Sequence, residues 1–122
     1  MFGGMIPATV EWVVERAGLQ LYSARITPAK GGPLLHVGAN YPYTRERVEP
    51  LTDEESNALR KRIKKELLKS GYKSKVRPFI HDDDVDYNDF RLKVILKAKD
   101  VDPEWYARLC RLWKARKNLN RL

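Results

Sequence analysis

The chain contains one cysteine, Cys110, so it cannot close an intrachain disulfide, and a disulfide-stapled fold is excluded. No stretch approaches the ~18 consecutive apolar residues of a membrane-spanning helix, so no membrane partner is expected. The opening MFGGMIPATV lacks the positive segment ahead of an apolar run that marks a secretory signal. An intracellular location is therefore the default expectation. Paired zinc-finger ligands, closely spaced helix-turn-helix segments and the aromatic signature of the common RNA-binding sheet are all missing. Gly31-Gly32-Pro33 is too short for a phosphate loop and lacks the Lys-Ser/Thr that follows one. His36, His81 and Cys110 have no spacing that signals zinc or a nucleophile. No cofactor is expected.

Positive charge is what the chain has in excess. It carries 24 lysines and arginines against 16 aspartates and glutamates, a net charge of +8 in 122 residues. Its placement is uneven. Residues 1–50 hold five basic and four acidic side chains, whereas residues 58–77 hold nine basic and one acidic. Residues 81–89 then carry five aspartates and no lysine or arginine, and residues 105–122 carry six basic and no acidic side chains. A basic balance of this kind favours polyanionic partners. With 43% hydrophobic residues the chain also has enough apolar surface for a core, and its length suits one domain over 1–122.

The stretch LTDEESNALRKRIKKELLKSG, residues 51–71, is the clearest element. Thr52 and Glu55 have the spacing of a capping box, and Gly71 suits a helix stop. Leu59, Ile63 and Leu67 form one narrow apolar stripe on an otherwise cationic helix. Ahead of it, residues 1–7 read as loose. TVEWVVERAG fits a short helix with Thr9 as cap and Gly18 as stop, although its valines also suit a strand. Leu19–Thr27 reads as a strand, with Leu19 and Leu21 on one face and Tyr22, Ala24 and Ile26 on the other. A turn at 28–33 leads to a returning strand at Leu34–Val37, and residues 38–50 read as a long loop.

After the basic helix, Tyr72–His81 reads as a strand that Pro78 either confines to a sheet edge or ends early. Asp82–Asp89 reads as an acidic connection. Arg91–Lys99 alternates cleanly, with Leu92, Val94, Leu96 and Ala98 inward and Arg91, Lys93, Lys97 and Lys99 outward with Ile95. Asp102 and Pro103 open a last helix running to about Lys117, with Trp105, Leu109, Leu112 and Trp113 on its buried face, Cys110 at the core or its margin, and 118–122 frayed. The expected fold is α+β: a small antiparallel or mixed sheet with two or three helices packed on it.

The nucleic-acid-binding candidates are Arg60, Lys61, Lys64, Lys65 and Lys69 on the long helix, Lys73, Lys75 and Arg77 on the next strand, Arg91, Lys93, Lys97 and Lys99 on its hairpin partner, and Arg108, Arg111 and Lys114 on the last helix. Such side chains displace counterions from phosphates and bind without sequence choice. Tyr41 and Tyr43 in the long loop suit stacking on unpaired bases, as do Tyr72, Tyr87 and Phe90, which favours single strands or distorted duplexes over plain B-form DNA. Phe90 equally suits packing against the sheet.

The acidic segment offers a different chemistry. Asp84, Asp86 and Asn88 repeat the oxygen ligands that open a calcium loop, but Asp89 and Ile95 stand where that loop needs glycine and glutamate. Asp84, Asp86 and Asp89 with Lys93 are the candidate set for Mg²⁺-assisted phosphodiester cleavage. Arg91 occupies the position where the usual acid-x-lysine pair needs a carboxylate. The leading expectation is a non-catalytic nucleic-acid-binding protein, DNA or RNA. The alternatives are an adaptor or inhibitor that binds proteins through its segregated charges, and a Mg-dependent nuclease.

Overall fold

The computed structural model describes residues 6–27, 33–95 and 102–120. It contains α1 (Ala8–Arg16), β1 (Gln20–Thr27), β2 (Leu34–Asn40), α2 (Asp53–Lys69), β3 (Ser74–His81), β4 (Asp84–Ile95) and α3 (Pro103–Asn120). The four strands form one sheet in the order β1-β2-β4-β3, and every neighbouring pair is antiparallel. The architecture is α+β as expected. Several anticipated features lie outside the described residues: the loose segment at 1–5, the turn at 28–32, the strand continuation at 96–99 with Lys97 and Lys99, and the end at 121–122. The same holds for the side chains of Trp113, Arg116 and Lys117. Among the described residues no helix is long and apolar enough to cross a membrane.

One face of the sheet makes the core. Leu35, Val37 and Ala39 of β2, Phe90, Leu92 and Val94 of β4, and Val76 of β3 are buried against Val10, Val13 and Val14 of α1, Ile63 and Leu67 of α2, and Trp105 and Leu109 of α3. Each fully buried aliphatic or aromatic side chain here stabilises by roughly 1.5–3 kcal/mol. α1 is a helix because only the helical period buries all three valines, leaving Trp12 half exposed. Its cap differs from the expected one. Pro7 precedes the helix, and the Thr9 hydroxyl instead donates to Asp102 at 3.1 Å. Asp102 also accepts from Tyr72, so one carboxylate joins α1, the end of α2 and the start of α3. Tyr72 is fully buried, not exposed. Burial and the Asp102 hydrogen bond raise its phenol pKa above the ordinary range.

α2 begins and ends as its sequence dictates. Thr52 and Glu55 form the reciprocal capping box. Arg47 donates to Glu55 at 2.7 Å and, with the Thr52 N–H, holds that carboxyl down at about 2. At the other end Tyr72 N–H donates to Leu67 O and Gly71 N–H to Leu68 O, with Gly71 at φ 93°, which closes the helix in a Schellman motif. α3 extends to Asn120, past the expected stop at Lys117. Cys110 and Leu112 on α3 are exposed, not buried; among the described residues the inward contact of α3 comes from Trp105 and Leu109 with the partly buried Tyr106.

The strands differ from the sequence reading in three ways. β2 continues through Gly38, Ala39 and Asn40, which shortens the loop to 41–50. The acidic segment is mostly strand. Asp82 and Asp83 make a two-residue turn with Asp82 at φ 53°, and Asp84–Asp89 belong to β4. Alternation is hidden there because both strands shift register: Pro78 pairs with Phe90 but Phe79 pairs with Asp86. In the resulting bend Asn88 turns inward. Its Nδ2 donates to Tyr41 O at 2.9 Å and its Oδ1 accepts from Leu51 N at 2.6 Å, which fastens both ends of the 41–50 loop to β4. The third difference is a bulge at Tyr22, between Leu21 and Ser23. It lets Leu21, Ala24 and Ile26 all face the core side while Tyr22 swings to the opposite face.

Asn88 is 5% exposed and has no replacement for its two loop contacts. Asn88→Ala leaves a buried carbonyl and a buried N–H unpaired and is expected to destabilise by about 2–3 kcal/mol in urea unfolding. A change under 0.5 kcal/mol would show that the loop is held elsewhere.

Candidate nucleic-acid interface

The second face of the sheet carries no helix among the described residues, and its composition follows from register. Arg25 pairs with His36, His36 with Lys93, and Lys93 with Lys75. These four residues make one row running across all four strands. The adjacent row, two residues along, is Ser23, Gly38, Arg91 and Arg77. Directly opposite side chains have Cβ atoms about 4.5–5.5 Å apart, and like charges so placed are destabilising. Among the described residues, Arg25, Lys75, Arg77, Arg91 and Lys93 have no carboxylate within ion-pair distance; the three ion pairs lie elsewhere. Ser23, Arg25, His36, Arg77, Arg91 and Lys93 of these rows, with Phe79 and Ile80, line a groove of about 800 Å³.

Aromatic rings lie beside the cations. The Arg91 guanidinium sits 5.6 Å from the Tyr22 ring centre and 4.5 Å from that of Phe79. Phe79 in turn stacks with His81 at 5.9 Å and 12°. Tyr22 lies flat over Gly38: a Cβ there would meet the Tyr22 ring at 2.9 Å and Ser23 Oγ at 2.4 Å. The Tyr22 hydroxyl donates to Asp89. Partial burial, reinforced by that carboxylate, pushes its phenol up to about 12. Tyr22, Arg91 and Phe79 thus form a track from the β1 edge to the β3 edge, next to the row of Arg25, His36, Lys93 and Lys75, and His81 lies further along β3 at 3.6 Å from Asp82.

No protein-family model, curated protein or solved structure matches this chain.

Of the candidates named from sequence, Lys75, Arg77, Arg91 and Lys93 come together on this face. Lys73 is exposed just before β3. Lys61, Lys64, Lys65 and Lys69 are exposed and Arg60 half-buried on α2, while Arg108, Arg111 and Lys114 are exposed on α3. These belong to the helix layer, across the sheet from the two rows. Lys69 is within 3.8 Å of Glu66. Tyr41 is partly buried against the core, beneath the Arg47 guanidinium and close to Gly18, so its ring has a packing role. Tyr43 is 57% exposed.

The acidic candidates are distributed rather than convergent. Asp86 accepts from the Asn88 N–H, Asp89 accepts from Tyr22, Asn88 holds the loop, and Asp84 is exposed at the turn. Among the described residues no group of three or more His, Cys, Asp or Glu side chains is arranged to hold a metal ion.

Sequence reasoning missed Tyr22, Arg25, His36 and Phe79. The alternation Ser23-Arg25-Thr27 and Lys75-Arg77-Phe79 marks polar outer faces, and it was the available signal. The bulge that adds Tyr22 to that face leaves none.

His36 reports on the field of this face. Its Nε2 lies 2.9 Å from Thr27 Oγ1. Partial burial, then Arg25 and Lys93, lower its pKa below the ordinary value. The unfolded chain therefore takes up a proton that the native ring resists, and stability falls as pH drops below about 6.5 toward the native pKa. NMR titration of the His36 ring is expected to give a pKa below the ordinary histidine value of about 6.5, and Lys93→Gln to raise it. A His36 pKa at or above the ordinary value would contradict an uncompensated cation row.

Proposed function

We propose that this protein binds nucleic acid without catalysing a reaction, and that the open sheet face carries the phosphate contacts. The observation behind this reading is the pair of cross-strand cationic rows. Each like-charged pair costs on the order of 0.2–1 kcal/mol in the free protein. An anionic ligand that meets several of these charges at once converts the cost into binding energy and releases its own counterions. Phosphodiester chains supply negative charge at regular intervals, which suits a row better than a single small anion does. The cations of α2 and α3 lie in a different layer and act on this reading as a general attractive field.

A second reading rests on the β3–β4 hairpin tip. Ile80 and Val85 are directly opposite and exposed at 59% and 41%, and Asp82, Asp83, Asp84 and Asp86 surround them. An apolar pair with an acidic rim fits a basic protein partner.

Lys93 faces the neutral His36 ring and the Lys75 ammonium, so Lys93→Glu replaces the repulsion with Lys75 by an attraction. Its melting temperature is expected to stay level or rise, while affinity for a nucleic-acid probe at fixed salt falls about tenfold and the salt slope shrinks. Lys61→Glu with Lys65→Glu is expected to change affinity less than about threefold. Fluorescence anisotropy across a salt series reads both. The opposite ranking moves the site to α2, and absence of binding at low salt by the wild type favours the hairpin-tip reading.

A further inference from the structure

The nucleic-acid reading leaves open what form of ligand the face takes, and the aromatic track bears on that. From the juxtaposition of Tyr22, Arg91 and Phe79 with the neighbouring row Arg25, His36, Lys93 and Lys75, we propose that the site takes an unpaired nucleic-acid strand laid across the β-strands, its phosphates on the cationic row and its bases stacked on the track.

The inference rests on the functional reading above and adds a substrate form to it. A cationic row alone does not distinguish a duplex from a single strand, since both present phosphates. Flat rings beside the row do, because a duplex hides the faces of its bases in its own stack whereas an unpaired strand offers them. Tyr22 is 43% exposed, and its ring is laid down on the sheet by Gly38 and tethered through its hydroxyl to Asp89. Ring orientation is therefore fixed before any ligand arrives, which lowers the ordering cost of stacking. Arg91 between Tyr22 and Phe79 adds a planar cation on which a base also stacks.

Charge sets the direction of the strand. Along the β-strands toward the β3–β4 turn, a polyanion would run onto Asp82, Asp83, Asp84 and Asp86. Across the β-strands it meets Arg25, Lys93 and Lys75 along the row. The crossing direction is the one free of repulsion. The four-strand row spans about 14 Å at the usual inter-strand spacing, which limits the contact to a few nucleotides.

The test compares the full-length chain with four fluorescent probes of equal length: single-stranded DNA, single-stranded RNA, duplex DNA, and a single-stranded DNA whose central bases are removed to leave abasic sites. The expected result is single-strand affinity about tenfold above duplex affinity, with the abasic probe falling to the duplex level. The DNA and RNA arms identify which strand chemistry is preferred. Phe79→Leu, which keeps apolar bulk at a half-buried position, is expected to weaken the two single-stranded probes about tenfold and leave the duplex unchanged. Equal binding of all four probes would overturn the single-strand inference while leaving the phosphate reading in place. Duplex preference would do the same. No binding of any probe at low salt would overturn both. The abasic comparison uses the wild-type chain, so it stands even where Phe79→Leu perturbs folding.

Discussion

The antiparallel register between β2 and β4 is the constraint on which the rest of this molecule depends. Fixing Val37 opposite Leu92 and Leu35 opposite Val94 buries both strands on the helix side. The same pairing then puts His36 opposite Lys93 and Gly38 opposite Arg91 on the other side. A slip of one residue would turn the apolar set to solvent and the cations into the core, so the hydrophobic effect holds the register firmly. The repulsive outer rows are thus imposed by the burial of the inner ones. They persist because a few like-charge contacts cost less than the aliphatic burial contributes.

That balance ties stability to function. A surface evolved only for solubility intersperses charges of both signs, and this chain has 16 acidic residues available for it. On the open face the nearest carboxylate use is Asp89, which accepts from Tyr22 and orients a ring. Seven of the acidic residues are gathered instead at the hairpin tip and at the start of α2, where the capping box uses Glu55. Among the described residues, segregation leaves the open face with cations that no carboxylate pairs. The Tyr22–Gly38 contact adds a second requirement, since the flat ring needs a residue with no side chain beneath it.

Much of this was legible in the sequence wherever one local rule decided the outcome. The capping box and Gly71 fixed the limits of α2, Pro78 placed β3 at the sheet edge, and the alternation from Arg91 to Ile95 showed which side chains face outward. Features that needed two strands at once were not legible. The Tyr22 bulge depends on how β1 meets β2, and the bend at 87–89 depends on Asn88 reaching Tyr41 and Leu51 across the chain. The candidate site split for the same reason. Lysine-rich composition drew attention to α2, where cations are numerous, whereas convergence arose on the sheet, where they are fewer but set opposite one another by pairing.

The most direct measurement of the central claim is a side-chain NMR map of the chain with a short oligonucleotide. Arginine Nε–Hε signals, the His36 ring and the Tyr22 and Phe79 ring signals report the open face, and lysine Nζ and arginine signals of α2 and α3 report the helix layer. The account predicts that Arg25, His36, Arg77, Arg91, Tyr22 and Phe79 shift together and saturate at one ligand concentration, while Arg60, Lys64 and Arg108 stay in place. Saturable shifts confined to α2 and α3, with the open face unmoved, would contradict it.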